Sequence, residues 1–272
     1  MGRSIVLAAA AIAATMFLPA LPRAEIPLSL GIWGGYMRAG MGDINTALQS
    51  QADGLKGLWG ASPDLKKSSG GWQAGAEATM EVFGGYALGF RAGWLSPLQG
   101  RAKSVIDDSR YAPILVVTGA SLVTVESWGI PVLAGGRYVA PIDEGLDFSA
   151  GLFMGYGVTG MRYAKREDLA IWSTTSGDSN SLTDYAFEAD GGAFAWEAVV
   201  GFSWLAGPQA MVGLDAGYRH LSTPLKLGKD LDIDSDGKVD IAKGEQLKDA
   251  ADEPVELDLS GVFFSLSLSY LL

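Results

Sequence analysis

The chain has 272 residues with no cysteine, 37 glycines and 8 tryptophans, and its formal net charge is −11. The absence of cysteine excludes a disulfide framework and a lipid-modified N-terminal cysteine. The acidic balance argues against nucleic acid as a partner, because neutralising phosphates requires lysine and arginine. It favours cations, or simply a solvated surface.

The N-terminal segment has the pattern of a secretory signal peptide. Arg3 precedes an apolar run from Ile5 to Leu18, and a segment with Pro and Ala follows, from Pro19 to Ala24. The run is shorter than the ~20 apolar residues that a membrane-spanning helix needs. We therefore expect cleavage near Ala24 or Ala20, with residues 1–24 as the signal and 25–272 as the mature domain. An N-terminal membrane anchor is the alternative.

The mature region is predicted to form eight strands, because apolar residues alternate with small or polar ones and successive strand side chains point to opposite faces. The predicted strands are Leu28–Met37, Trp72–Val82, Tyr86–Leu95, Ser121–Tyr138, Leu146–Thr159, Phe194–Trp204, Met211–His220 and Leu257–Leu272. The turns at 83–85, 141–145 and 206–209 are short and the other four connections are long, as in transmembrane barrels, whose short turns face the periplasm.

The long first connection, Arg38–Gly70, is predicted to contain a short helix. Asp43 is a capping residue, and the apolar stripe that follows has helical spacing: Ile44, Ala47, Leu48, Leu55 and Leu58. The third long connection, Lys165–Asp190, is rich in Ser, Thr, Asp and Asn, and we expect a flexible, solvated loop.

The fourth strand is less regular than the others, because its alternation shifts phase around Trp128 and Pro131. A β-bulge there would explain the shift and the proline inside a strand. In the alternative, Ile114–Thr124 and Ile130–Tyr138 are separate strands, and both the strand count and the sides of the loops change.

Charged residues are predicted on the inward faces of the strands: Glu77, Glu81, Arg91, Arg137, Asp147, Glu197, Asp215 and Arg219. Side chains alone can fill the lumen of an eight-stranded barrel, so we expect an ion-pair and hydrogen-bond network. In the alternative, Glu77, Glu81 and Arg91 form the gate of a narrow pore for small solutes or ions.

The fourth long connection contains alternating carboxylates that can converge on a hard cation such as Ca²⁺. The segment resembles the calcium loops of EF-hand, dockerin and thrombospondin type 3 repeats over about a dozen residues. That resemblance implies side-chain ligands from Asp232, Asp234, Asp236 and Asp240 and the backbone carbonyl of Lys238. Lys243 stands where the EF-hand has its bidentate Glu. A mobile acidic loop without metal is the alternative.

The last strand has an apolar face predicted to contact lipid: Val262, Phe264, Leu266, Leu268, Tyr270 and Leu272. Its other face carries Ser265, Ser267 and Ser269 and is predicted to line the lumen. Such a strand is typical of the end of an outer-membrane barrel.

Together, these features resemble the small eight-stranded outer-membrane barrels of the OmpA, OmpX and OmpW kind, and the resemblance covers essentially all of the mature region. It implies an all-β, antiparallel up-and-down barrel in the outer membrane of a Gram-negative bacterium. It also implies contact with outer-membrane lipid and lipopolysaccharide, assembly by the barrel-insertion machinery and a monomeric state. The fold names no activity.

One enzymatic alternative rests on His220, the only histidine, and on Ser222 two residues later. Residues two apart share a strand face, so the imidazole and the hydroxyl could meet at the membrane surface. The pair resembles the His-x-Ser of the PagL-type lipid A deacylases, which implies that Glu256 orients the histidine. Our main expectation is a protein that is not an enzyme and that acts through its acidic outer loops.

Overall fold

The computed structural model describes residues 28–59, 61–111, 114–173, 177, 179–232, 238–248 and 252–272. The predicted signal peptide lies outside these residues. The described part of the chain contains one helix, α1 (Gly42–Trp59), and eleven strands. The strands are β1 (Leu28–Ala39), β2 (Ser62–Lys66), β3 (Gly71–Phe83), β4 (Tyr86–Tyr111), β5 (Leu115–Asp143), β6 (Leu146–Ser173), β7 (Ser179–Leu205), β8 (Ala210–Pro224), β9 (Lys226–Leu227), β10 (Glu256–Asp258) and β11 (Gly261–Leu271).

Eight of the described strands form a closed antiparallel ring. β1 pairs with β3, each of β3 to β7 pairs with the next long strand, and β8 pairs with β11, which pairs back with β1. The short strands β2, β9 and β10 pair with β4, β7 and β8. The predicted eight-stranded up-and-down barrel is therefore confirmed.

The short turns also lie where they were predicted. Gly84 and Gly85 join β3 to β4 with φ values of 54° and 82°, and Gly145, with φ 76°, lies in the turn from β5 to β6. Glycine adopts this left-handed region without the steric cost that a Cβ brings. These turns fix the order and direction of the strands at one end of the barrel.

Four strands are much longer than a membrane requires. β4, β5, β6 and β7 have 26, 29, 28 and 27 residues, whereas a membrane strand needs about 9–11. They continue beyond β1, β3, β8 and β11 at the end opposite to the short turns. We call this extension the outer sheet; it comprises the described residues of 98–111, 115–128, 160–173 and 179–192.

The predicted flexible loop Lys165–Asp190 is wrong for most of its length. Lys165 pairs with Tyr185, and Glu167 pairs with Thr183, so the segment forms the paired ends of β6 and β7. Outside a membrane, the outward face of a strand can be polar, and the hydrophobic alternation that predicts a strand is then weak. Backbone pairing forms the strand nevertheless.

The predicted bulge in the fourth strand is also wrong, and so is the alternative of two separate strands. β5 is continuous, with Trp128 opposite Gly160 and Pro131 opposite Gly157 in β6. The register shift lies in β4, between Leu95 and Leu98. The change of phase in β5 has another cause: its apolar residues face outward at Val132 and inward at Val123 and Val125.

The inner face of the outer sheet is covered by α1 and by the described residues between 225 and 259, which we call the outer plug. Met41, just before α1, and Ile44 and Leu48 in α1 are at most 5% exposed and belong to the main apolar core. The core also contains Leu98, Ala102, Val123, Val125, Leu225, Leu227, Leu231, Leu247, Leu257 and Leu259. It therefore closes the outer end of the barrel.

The predicted helix is confirmed, with two differences in detail. Asp43 lies in the first turn, where its charge is favourable near the helix N-terminus. Ala47 is exposed and Ala52 is buried, so the apolar stripe is rotated from the predicted one. α1 lies close to β4 because Gly100 has no side chain: a Cβ there would lie 2.7 Å from Cδ1 of Leu48. No helix in the described residues is long and apolar enough to cross a membrane.

Candidate functional site: the barrel interior and the outer rim

The outward surface of the barrel is apolar, as a lipid-facing surface must be. Ile32 is 65% exposed, Trp72 69% and Leu266 60%, and every predicted outward residue of the last strand is exposed. Aromatic side chains gather at both ends of this surface. Tyr36 and Trp72 form an edge-to-face pair at the outer end, with ring centroids 5.8 Å apart.

At the end with the short turns, Tyr86 contacts Phe83 and Tyr138, with ring centroids 5.3 and 5.0 Å apart. Two aromatic girdles that flank an apolar band are typical of transmembrane barrels. We conclude that the barrel spans a membrane between these girdles.

Three arginines and three carboxylates occupy the interior of the barrel: Glu77, Arg91, Arg137, Glu197, Asp215 and Arg219. Their formal charges cancel. We call this group the lumen network. The predicted charged network is confirmed for these six residues.

The centre of the lumen network is Glu197, whose side chain is 0% exposed. Its Oε2 accepts hydrogen bonds from Nε and Nη2 of Arg219 at 2.9 and 2.6 Å. Its Oε1 lies 2.9 Å from Nη1 of Arg91. Arg219 also donates from Nη1 to Oε1 of Gln73 at 2.8 Å. Two guanidinium groups thus compensate one buried carboxylate, as a charge removed from water requires.

The other charges complete the lumen network at longer distances. Glu77 lies 3.6 Å from Arg91 and 3.4 Å from Arg137, and Asp215 lies 3.9 and 3.6 Å from the same two arginines. The guanidinium of Arg91 also lies 4.5 Å from the ring centroid of Trp33, in cation–π geometry. Arginine, carboxylate and aromatic groups therefore fill the cross-section of the barrel.

Glu81 does not belong to this network, although the sequence places it with Glu77 and Arg91. It is exposed at the turn end and accepts a hydrogen bond from the N–H of Gly85 at 3.3 Å. The predicted three-residue gate is therefore not brought together. On the same side of the network, Phe153 is fully buried beside Gly89 and Gly151. Its ring adds to the packing of the interior.

His220 and Ser222 have different partners in the structure. The hydroxyl of Ser222 donates to Oε2 of Glu256 at 2.9 Å. Nδ1 of His220 lies 3.2 Å from Oγ of Ser260, and its ring stacks on Trp196 at 5.8 Å. The sequence analysis missed Ser260. Its only distinguishing feature in the sequence is its position beside Gly261, at the start of β11. The contacts join Glu256 to the serine rather than to the histidine.

The predicted calcium ligands lie partly outside the described residues, which include Asp232, Lys238 and Asp240 but not Asp234 and Asp236. The ends of the loop are held together by Leu231 and Ile241, which exchange backbone hydrogen bonds of 2.9 and 3.1 Å. Among the residues that the structure describes, no three His, Cys, Asp or Glu side chains are grouped as a metal would require. The metal set remains a prediction.

A cluster of aromatic rings lies on the inner face of the outer sheet. Tyr163 stacks on Phe187 and Tyr185, with ring centroids 5.0 and 5.9 Å apart. Its hydroxyl lies 3.5 Å from Oε1 of Gln51 in α1. Burial raises the pKa of Tyr163, and the neighbouring Tyr185 acts in the same direction. Tyr163 is therefore neutral at physiological pH and packs as an aromatic side chain.

A cavity of about 430 Å³ opens at the outer rim, where β1 and β11 meet the turn before β3. Arg38, Asn45, Lys67, Ser68 and Ser69 contribute to its lining. Asn45 holds the turn, because its amide donates to the C=O of Ser68 at 2.8 Å and accepts from the N–H of Ser68 at 3.0 Å. The sequence analysis missed this cavity, since its residues come from three separate segments.

No protein-family model matches the chain, and no curated protein matches it in sequence. Among solved structures, the chain is similar to the attachment invasion locus protein Ail of Yersinia pestis, with 12% identity, coverage of 91% of this chain and 99% of Ail, and a TM-score of 0.34. It is also similar to the outer membrane protein OprG of Pseudomonas aeruginosa, with 11% identity, coverage of 91% of this chain and 96% of OprG, and a TM-score of 0.41. A third similar structure is Neisserial surface protein A, with 13% identity, coverage of 90% of this chain and 96% of that protein, and a TM-score of 0.30. The fold of this chain is established by its own strand pairing.

Proposed function

We propose that the protein is an integral outer-membrane barrel with a sealed interior, and that it anchors the outer sheet and outer plug at the cell surface. There they contact cations, envelope lipid or an external partner. The observation that carries this proposal is the filled interior. The neutral lumen network occupies the membrane region, and the apolar core of the outer plug closes the outer end.

The outer membrane is the compartment that this surface fits. Closed β-barrels with an apolar band, aromatic girdles, short turns at one end and long extensions at the other are typical of that membrane. In such barrels the short turns face the periplasm. The outer sheet then projects outside the cell.

The sealed interior is tested by conductance in planar bilayers. We expect no discrete current steps from the folded wild-type protein. Steps that change in Glu77→Gln would contradict the proposal and establish a narrow pore through the lumen network. Glu81→Gln is the matched control, since it removes the same charge from an exposed position outside that network.

A second candidate function is calcium-dependent ordering of the fourth outer loop, and the clamp between Leu231 and Ile241 favours it. The N–H of Asp240 also donates to the C=O of Leu231 at 2.9 Å, so the backbones of Asp232 and Asp240 lie close together. The chain would then supply oxygen ligands for a hard cation. Millimolar extracellular calcium is enough for an extracellular module with Kd of about 10⁻⁴–10⁻³ M.

Calorimetric titration of the folded protein with calcium tests this candidate. We expect saturable binding that is lost in Asp232→Asn with Asp240→Asn and kept in Asp184→Asn with Glu188→Gln, an equal charge change on the outer sheet. The absence of binding to the wild-type protein would exclude the calcium site.

The proposal includes no catalytic step. The hydroxyl of Ser222 and the imidazole of His220 have separate hydrogen-bonding partners, which supports a function without this pair as a catalytic unit. We expect lipid A to remain intact when it is incubated with the protein. Deacylated lipid A that disappears in Ser222→Ala would replace this proposal by a hydrolase.

A further inference from the structure

Two cations lie together in the rim cavity, although the protein as a whole is acidic. Arg38 and Lys67 both line it, both are exposed, and neither has an ion-pair partner among the described residues. The exposed cation Arg101, by contrast, lies 3.2 Å from Asp64. Two unpaired cations beside serine side chains form a site for an anion.

The cavity is preformed. The two hydrogen bonds from Asn45 fix the turn that carries Lys67 and Ser69, and Ser68 is only 4% exposed. On the opposite wall, the N–H of Gly40 donates to the C=O of Ser260 at 2.9 Å. The two walls are thus fixed by the outer plug and by the strands, and little conformational entropy is lost when a ligand binds.

One carboxylate lies near the cavity and must be considered. Oδ1 of Asp258 accepts a hydrogen bond from the N–H of Ser260 at 2.8 Å, and Oδ2 lies beside Gly40. One negative charge against Arg38 and Lys67 still leaves the cavity positive. An anion that displaces no existing ion pair can therefore bind there.

The position of the cavity identifies the source of the anion. Arg38 lies on the same outward face of β1 as Tyr36, and its pairing partner in β11 is Val262. Tyr36 belongs to the outer aromatic girdle, and Arg38 lies two residues further out, or about 7 Å along the strand. The hydroxyl of Tyr36 reaches Gly70, beside the turn that carries Ser69. The cavity therefore opens toward lipid at the level of the headgroups.

We propose that the rim cavity binds the phosphate of an outer-leaflet lipid headgroup. Arg38 and Lys67 contact the phosphate oxygens, and the hydroxyl of Ser69 donates a hydrogen bond. The acyl chains lie along the apolar face formed by Tyr36, Val262 and Phe264. The site rests on the membrane orientation that the proposed function gives to the barrel.

The test is a calorimetric titration of the folded protein in dodecyl maltoside micelles. The probes are dihexanoyl phosphatidic acid, which carries a phosphate monoester, dihexanoyl phosphatidylcholine and inorganic phosphate. We expect saturable binding of the phosphatidic acid at one site. Binding of inorganic phosphate is expected to be at least about tenfold weaker, because it lacks the acyl chains.

The decisive variant is Arg38→Gln with Lys67→Gln, in which we expect binding of the phosphatidic acid at least about tenfold weaker, because two charge-assisted contacts are lost. The matched control is Arg162→Gln with Arg166→Gln, which removes two exposed cations from the outer sheet and is expected to bind as the wild type does. Both variants change surface side chains, so folding is expected to be unaffected.

Several outcomes overturn the lipid site. These are unchanged binding in the Arg38 and Lys67 variant, equal losses in both variants, equal binding of phosphatidylcholine, and inorganic phosphate binding as tightly as the lipid. Failure of the proposed function would be observed differently, as current through the barrel, and such conductance leaves lipid binding at the rim unaffected.

Discussion

The same four strands pass through two regions of this molecule with opposite surfaces. Between the girdles, β4 presents Leu88 and Phe90 outward and Arg91 inward. In the outer sheet it presents Arg101 outward and Ile106 inward. The outward solvent changes from lipid to water, so the apolar face changes from outside to inside. A strand's apolar face thus follows its surroundings, while backbone pairing continues unchanged.

The change of environment is accompanied by an irregularity in one of the strands. In β4 the inward residues are odd-numbered as far as Leu95 and even-numbered from Leu98, because the register shifts between them. The bulge contains Pro97. Proline has no N–H to donate to the strand ladder, and a bulge is a position where none is needed. It keeps Leu98 and Ala102 directed toward the outer plug.

The largest effect is expected from the lumen network, where the side chains of Arg219 and Glu197 are at most 1% exposed. Arg219→Met should destabilise the barrel by about 3–5 kcal/mol, because Glu197 loses one of its two cations while buried. Arg219→Met with Glu197→Gln restores neutrality and should cost less than the sum of the single changes. Unfolding in urea measures both. Arg101→Met, which breaks the exposed pair with Asp64 in the outer sheet, should cost less than about 1 kcal/mol. Equal costs in the two regions would contradict the comparison.

The next effect compares two exposed leucines. Leu266→Arg, on the lipid face, should cost about 2–4 kcal/mol near the bilayer midplane. Leu182→Arg, on the outward face of the outer sheet, should stay within about 0.5 kcal/mol, because that side chain is in water before and after the change. Leu266 and Leu182 are 60% and 65% exposed. A refolding titration in lipid vesicles measures both, and similar values would show that the two faces have the same solvent.

A smaller and more local effect is expected in the outer plug. Leu48→Ala removes a side chain that is 2% exposed and should loosen α1 by about 2 kcal/mol. Trypsin should then cleave after Lys56 about thirtyfold faster, if cleavage follows local opening. The urea midpoint of the barrel should not change. A lower midpoint would mean that the outer plug and the barrel unfold as one unit.

The smallest effect concerns the turn at the rim. Asn45→Ala removes both hydrogen bonds to Ser68 and should cost about 1–2 kcal/mol of local stability. Asn45→Asp keeps the acceptor and loses the donor, so it should cost about half as much. Hydrogen exchange at the N–H of Ser68 reports on both variants. Protection that survives Asn45→Ala would show that the turn is held by other contacts.

The sequence predicts the membrane half of this protein well, because lipid imposes a strict apolar period of two. Leu266 and Phe90 face outward as predicted, and Arg91 and Glu197 meet inside the barrel. The outer half is predicted less well. The segment from Lys165 to Asp190 forms strands without an apolar outward face, and a change of solvent in β5 has the same sequence pattern as a bulge.

The candidate sites show the same division. The lumen network could be predicted because every member lies on an inward strand position. The rim cavity could not, because Arg38, Lys67 and Ser260 are brought together only by the pairing of β1 with β11 and by the contact between Asn45 and Ser68. Nothing in the separate segments indicates that they are neighbours.

We expect the barrel to lie in lipid and the outer sheet to lie in water, and spin labelling tests this most directly. The chain has no cysteine, so Leu266→Cys and Leu182→Cys each give a single labelled site in protein reconstituted in vesicles. The label at position 266 should be relaxed by oxygen and shielded from a water-soluble nickel complex, and the label at position 182 should show the reverse. Equal accessibility at both positions would contradict the division of the molecule into a membrane barrel and an outer sheet.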